Sequence, residues 1–295
     1  KKKIDDLVKE AKKYYGYKIG QYKYGDDNRK VNVNDENKII YPNMTSIKDM
    51  QKIAPEILYQ INKNNYSDIF FIFRDMINNK INKKSIDILI KINYFEKFGD
   101  INYILNQLEI YKEMKSIIEK LQQCKQLKKD YCEKIGLSIE QLKLCCGSET
   151  EKMFKDIDNE KLTQLFKDNY IEIENKISKK YTYQPTTNLD IIKYQVQLLG
   201  YSDIIDNSIS QEIYLVEQIE TNNYGTPFVS LYHPYDGESL QNIKVDKKWF
   251  NSYKCDVGDA LRCSFKDKPK KRKDENGKWY DTGETEHVLN IYSII

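Results

Sequence analysis

The sequence predicts an α+β, multidomain protein in which a mostly α-helical region, roughly residues 1–210, precedes a five-stranded β-barrel. Three observations carry this expectation. Apolar residues are 40% and charged residues 32% of 295, a composition that folds around a sizeable core. Helical apolar spacing and capping residues recur from residue 45 to about 205. From Glu212 the pattern changes to short alternating strands separated by turn residues.

Ile4, Leu7, Val8, Ala11 and Tyr15 share one face of an amphipathic helix, which Gly16 and Gly20 end. Lys30 to Val33 and Lys38 to Tyr41 are short strand candidates around Asn34-Asp35-Glu36-Asn37. Thr45 or Ser46 caps a short helix, Pro55 opens another, and Ser67 caps a third from Asp68 to Ile77. Asn82 precedes a helix whose stripe is Ile86, Leu89, Ile90 and Tyr94, closed by Phe95, Phe98 and Gly99. A long helix is expected from Asp100 to about Lys129, and Ser138 with Gln141 has the capping-box form. Five strands follow, at 213–216, 228–232, 243–245, 260–266 and 288–294, with a short helix around Trp249. Five strands with a helix between the third and fourth is the layout of an OB barrel.

The net charge of +3 is unevenly spread: +6 over residues 1–100, −2 over 101–212 and −1 over 213–295. A mildly basic N-terminal third is compatible with a polyanion partner without demanding one. No apolar run exceeds Ile69 to Phe73, which excludes a membrane-spanning helix. Lys1-Lys2-Lys3 lacks an initiator Met and a signal-peptide core, so the chain is expected to be an internal piece of something longer. Cys124, Cys132, Cys145 and Cys146 sit close together, yet they form no CxxC pair and have no nearby His. With Cys255 and Cys263, they read as free thiols of a reducing cytoplasm rather than zinc ligands.

Several stretches carry a family resemblance. Lys9 to Tyr41 reads as a helix and small β unit. Met44-Thr45-Ser46-Ile47-Lys48 is similar to the start of a helix-hairpin-helix. Ile81-Asn82-Lys83-Lys84 through Leu89-Ile90-Lys91 and Phe95-Glu96-Lys97-Phe98-Gly99 resembles an "INKR…LIKAGAFDSFG" pattern, and Tyr194 to Tyr201 resembles the segment before an OB domain. In this order they resemble the C-terminal portion of a bacterial or phage C-family replicative DNA polymerase, of the polymerase III α-subunit type.

The resemblance implies four consecutive parts: an α/β, finger-like end over 1–43, a helix-hairpin-helix-like module over 44–100, a helical linker region over 101–210 and an OB-fold domain over 211–295. It implies a role in DNA replication, as the DNA-binding, noncatalytic end of a nucleotidyltransferase. Partners would be duplex and single-stranded DNA, with a sliding clamp or other replisome subunit as a further possibility. The palm carboxylates and their Mg2+ ions would lie upstream of residue 1, so this segment needs no cofactor and polymerises nothing alone. One departure stands out. The family's hairpin carries Gly-x-Gly so that backbone amides can approach a phosphate, whereas here the triplet is Asp49-Met50-Gln51. The hairpin is therefore degenerate and its role can be purely architectural. Two other readings stay open: a stand-alone, phage-like scaffold derived from the polymerase, and an independent single-stranded-DNA binding protein.

The leading candidate site is the loop expected before the last strand. It holds Lys266, Lys268, Lys270, Lys271, Arg272, Lys273 and Lys278 against Asp267, Asp274 and Glu275, followed at once by Trp279 and Tyr280. Cations track phosphates and aromatics stack bases, although a solvated hairpin explains the same residues. Phe228, Ser230, Tyr232 and Phe265 read as barrel core rather than base platforms. In the hairpin, Ser46, Lys48 and Lys52 are the DNA-binding candidates. Gln164, Leu165 and Phe166 weakly resemble a clamp-binding peptide, against an ordinary helix that buries Leu162, Leu165 and Phe166. His233 and His287 have no Cys or Ser arranged as a nucleophile pair. No catalytic or metal-binding residue is expected.

Overall fold

The computed structural model describes residues 11, 14–131, 136–202, 204–273, 275 and 277–295. Most of the helix expected over Ile4 to Tyr15, and Cys132, lie outside the described residues. The protein is α+β and divides into two compact units, both discontinuous in sequence. The first comprises residues 1–59, 82–94 and 186–295, and the second residues 60–81 and 95–185. This partition differs from four consecutive parts, because the stretch 44–100 contributes to both units.

In the first unit, β1 (Lys18–Ile19) pairs in parallel with β3 (Ile39–Tyr41), and β2 (Asn32–Asn34) pairs antiparallel on β3's other side. A 3-10 turn at Met44–Ser46 leads towards α1 (Ala54–Asn62), which has Pro55 in its first turn, where no N–H is needed. The cap of that turn is Asn43, which accepts from Thr45 N, rather than Thr45 or Ser46. Arg29 organises the nearby surface: it bonds Asp27 at 2.8 Å, meets Glu56 at 3.2 Å and lies 3.5 Å above the Tyr59 ring. The hydrogen bonds from Arg29 hold the Asp27 carboxyl at about 2. A depressed folded pKa stabilises above the unfolded value and fades as pH falls through the folded one. An NMR titration should find Asp27 still ionised at pH 3, and a midpoint in the ordinary carboxylate range would contradict this geometry.

α3 (Lys83–Lys91) is capped by Asn82, whose side chain accepts from Ser85 N, and it buries Ile86, Ile88, Leu89 and Ile90. α8 (Asn188–Leu199) opens on a reciprocal Thr187–Asp190 capping box and ends at Gly200, whose φ of 85° suits glycine.

The C-terminal strands of this unit are β7 (Ile213–Thr221), β8 (Pro227–Tyr232), β9 (Ser239–Val245), β10 (Ala260–Lys273) and β11 (Trp279–Ile294). They close into a barrel ordered β7-β8-β9-β11-β10, with β10 returning to β7. The β9–β11 pair is parallel and the other pairs are antiparallel. α9 (Lys247–Tyr253) joins β9 to β10. Val216, Val229, Leu231, Val245, Leu261, Cys263 and Leu289, drawn from all five strands, form the interior. Burial pushes the Cys263 thiol up to about 12 and Cys255 to about 11, so both stay protonated at neutral pH. Ile192 and Val196 of α8 cover a second cluster with Ile213, Leu215, Tyr232 and Ala260.

In the second unit, α2 (Ile69–Asn78) is capped by Asp68, one residue later than expected. It buries Phe70 and Phe73 among Phe95, Tyr111 and Tyr170. α4 (Ile101–Leu121) starts at the Asp100 cap and stops well before Lys129. The stretch expected to be mostly helical also contains a sheet, β4 (Gln126–Lys128), β6 (Met153–Ile157) and β5 (Cys146–Glu149), with β6 central. α5 (Ile139–Lys143) carries the full Ser138–Gln141 capping box. α6 (Asn159–Asp168) and α7 (Tyr170–Ser178) bury Leu162, Phe166, Ile173 and Ile177. Near the unit's end Glu113 accepts from Lys180 Nζ at 2.6 Å and Tyr181 OH at 2.8 Å.

Candidate nucleic-acid interface

The basic segment is a strand, not a loop. β10 pairs with β7 only over Ala260–Arg262, and β11 pairs with β9 only at Val288 and Leu289. From Asp267 and His287 outward the two strands pair only with each other among the described residues, as far as Lys273 opposite Trp279. At roughly 3.3 Å per residue this two-stranded ribbon runs about 20 Å past the barrel's other pairings. Pro269 cannot donate to a ladder, and the register shifts between Pro269 and Lys271, so a bulge lets the pairing continue past it.

Strand pairing changes the electrostatics. β11 adds the carboxylates Asp281, Glu284 and Glu286, so the sequence from Lys266 to Glu286 holds seven cations and six carboxylates. Lys270 bonds Glu284 at 2.7 Å, and that bond holds the Glu284 carboxyl below its ordinary value. Glu286 is bound by Lys244 at 2.7 Å, and Asp267 by His287 Nδ1 at 2.5 Å. Among the described residues, Lys266, Lys268, Lys271 and Arg272 enter no ion pair, and all four are exposed. These four keep their charge available to an external anion.

Register assigns faces. Consecutive strand residues point to opposite sides, and directly opposed residues share a side. Trp279, opposite Lys273, shares a side with the Lys271–Asp281 pair. Tyr280 stands opposite Arg272 on the other side. Trp279 is 62% exposed and Tyr280 49%, unusual for such large rings. Lys278 lies at the turn beside them, also exposed.

The other candidates are not brought to this ribbon. Phe228 and Phe265 are half-buried, with Phe265 edge-on to Tyr214. Ser230 and Tyr232 are buried, but on the side of β8 opposite the interior residues Val229 and Leu231. Tyr232 belongs to the cluster beneath α8, and its hydroxyl donates to Ile204 O at 2.6 Å. They are packed as expected, though outside the barrel interior. His233 stacks on Tyr214 with centroids 4.4 Å apart, and its Nδ1 lies 2.7 Å from Asp236.

In the hairpin loop Asp49 adopts φ 63°, the left-handed conformation that a glycine would supply. The backbone shape persists while three of the loop's amides are occupied. Lys48 N donates to Leu198 O, Met50 N to Ile47 O and Gln51 N to Ser85 Oγ. Ser46 Oγ donates to Asn43 O at 2.7 Å, and Lys84 holds Asp49 at 3.0 Å. Lys48 and Lys52 remain exposed, so a phosphate would meet side chains there and not a ring of amides. Gln164, Leu165 and Phe166 sit inside α6. Phe166 is fully buried and Gln164 Nε2 donates to Asp168 at 2.7 Å, so the segment offers no exposed aromatic to a clamp. No group of His, Cys, Asp and Glu positioned to hold a metal occurs among the described residues.

The β11 carboxylates are what sequence reasoning missed. Their alternation with Thr and Gly in Asp281-Thr282-Gly283-Glu284-Thr285-Glu286 was the available signal. No protein-family model matches the chain, and no curated protein matches it.

Proposed function

We propose that the barrel is an OB-fold domain whose β10–β11 ribbon binds single-stranded DNA, within the noncatalytic, DNA-positioning C-terminal part of a C-family replicative polymerase. Supporting the fold name are the ring order first-second-third-fifth-fourth, the parallel third–fifth pair and the helix between the third and fourth strands. The observation that carries the function is the ribbon: four cations along β10 outside any ion pair among the described residues, two of which, Lys271 and Arg272, lie near two exposed aromatics at its end. The occupied amides at Lys48, Met50 and Gln51 make the hairpin loop an architectural element in this reading.

Fluorescence anisotropy of a labelled oligothymidine, titrated with the 295-residue chain at several salt concentrations, tests the proposal. The expected slope of log affinity against log salt is about −0.7 for each phosphate neutralised, or roughly −3 for four cations. No binding, or binding indifferent to salt, would contradict it. The near balance of seven cations and six carboxylates favours the scaffold reading as the alternative, and that reading expects no oligonucleotide binding at all.

A further inference from the structure

The small sheet of the first unit leaves one edge open. β2 lies at its margin, in the order β1-β3-β2. Lys30, Val31, Asn32 and Val33 are all exposed, Val31 by 61% and Val33 by 47%. An apolar row crosses this sheet and stops at that margin: Val33 stands opposite Ile40, and Ile40 opposite Ile19. Exposure rises along the row, from a buried Ile19 through a half-buried Ile40 to Val33. The backbone points the same way. Gly20 N donates to Ile40 O, so the polar groups of Ile40 face β1 and not β2. Val33 and Ile40 are therefore a non-hydrogen-bonded pair of the antiparallel ladder, and Val33 aims its own N–H and C=O at the open margin. Neither a proline nor a register shift interrupts β2. An edge of this kind is a template for a further strand.

We infer that β2 is a dimerisation edge, pairing antiparallel with β2 of a second copy about a twofold axis at Val33. The sequence is self-complementary under that operation. Each position before Val33 meets the position equally far after it in the other copy, so Asn32 faces Asn34, Val31 faces Asp35 and Lys30 faces Glu36. The Lys30–Glu36 contact occurs twice, once on each side of the axis. Both residues are exposed and enter no ion pair among the described residues. Asp35 is held within its own chain by Tyr17 OH at 2.7 Å. Val33 exchanges both backbone bonds with its mate, and the apolar row continues into the other copy's Val33, Ile40 and Ile19. Such isologous pairing closes at two copies. β2 is only three residues long, which puts the interface in the weak, transient class. This surface is separate from the ribbon, and the inference does not rest on nucleic-acid binding.

Sedimentation equilibrium of the full chain, without nucleic acid, tests it between about 10 µM and 1 mM, the range of weak association. Reversible monomer–dimer behaviour is expected. Lys30→Glu and Glu36→Lys should each weaken the dimer about tenfold, because two attractions become two repulsions. An equimolar mixture of these two variants should recover the unaltered affinity, since both contacts of the mixed dimer again join opposite charges. Val33→Pro should keep its circular-dichroism spectrum and lose the dimer: β3 does not use that N–H, and an edge strand tolerates proline. A chain that stays monomeric to about 1 mM would overturn the inference. So would a dimer indifferent to the charge reversals, a mixture no tighter than either variant alone, or a folded Val33→Pro variant that still dimerises.

Discussion

Replacing Lys266, Lys268, Lys271 and Arg272 together by glutamine is expected to remove most of the chain's salt-sensitive affinity for single-stranded DNA. Each cation that neutralises a phosphate contributes about 0.7 to the salt slope, so the quadruple variant should flatten it by roughly three. The same substitution at Lys270 alone should do much less. Lys270 is already bonded to Glu284, and a phosphate would have to displace that carboxylate. The comparison of Lys270→Gln with Arg272→Gln therefore separates a specific contact from general positive charge. If the two single variants weaken binding equally, the ion pair does not restrain Lys270 and the electrostatic account of the ribbon is wrong.

The second large effect concerns stability. Phe73→Ala is expected to destabilise by about 4 kcal/mol, the usual range for emptying a buried phenylalanine site. Phe73 is fully buried in α2, with ring centroids 6.4 Å from Phe95 and 6.0 Å from Tyr111. Those neighbours are themselves large rings, Tyr111 held in α4 and Phe95 buried in the turn that follows α3, so the site collapses poorly to fill the void. Phe71, two residues earlier, is 46% exposed beneath Arg74 at 5.1 Å. Phe71→Ala should cost less than about 0.5 kcal/mol, in line with surface substitutions generally. Urea unfolding followed by circular dichroism measures both, and similar losses for the two would contradict the assigned faces of α2.

What was legible in the sequence was mostly local. Asn82, Asp100 and Ser138 cap helices because short polar side chains satisfy the first amides, and that signal needs no tertiary context. The strand run from Ile213 was legible because β-branched and apolar residues alternate. The sheet β4-β6-β5 was not, since Gln-Leu-Lys and Cys-Gly-Ser-Glu are too short and polar to show a period. Its strands exist through pairing with β6, a long-range property. The ribbon was misjudged for a related reason. Lys-Asp-Lys-Pro-Lys-Lys-Arg-Lys has low strand propensity and a proline, yet β11 supplies opposed carboxylates and threonines, and a bulge absorbs the proline. Cross-strand pairing overrode local propensity, and it also supplied the charges that reduce the segment's basicity.

The most direct test of the central claim uses the protein's two tryptophans. With Trp249 replaced by phenylalanine, Trp279 alone reports on the ribbon. Titration with oligothymidine should quench its emission saturably, over the same concentrations that raise the anisotropy of a labelled strand, and added salt should reverse the quench. Emission that stays constant while the strand is demonstrably bound would place the nucleic acid elsewhere on the chain and contradict the account.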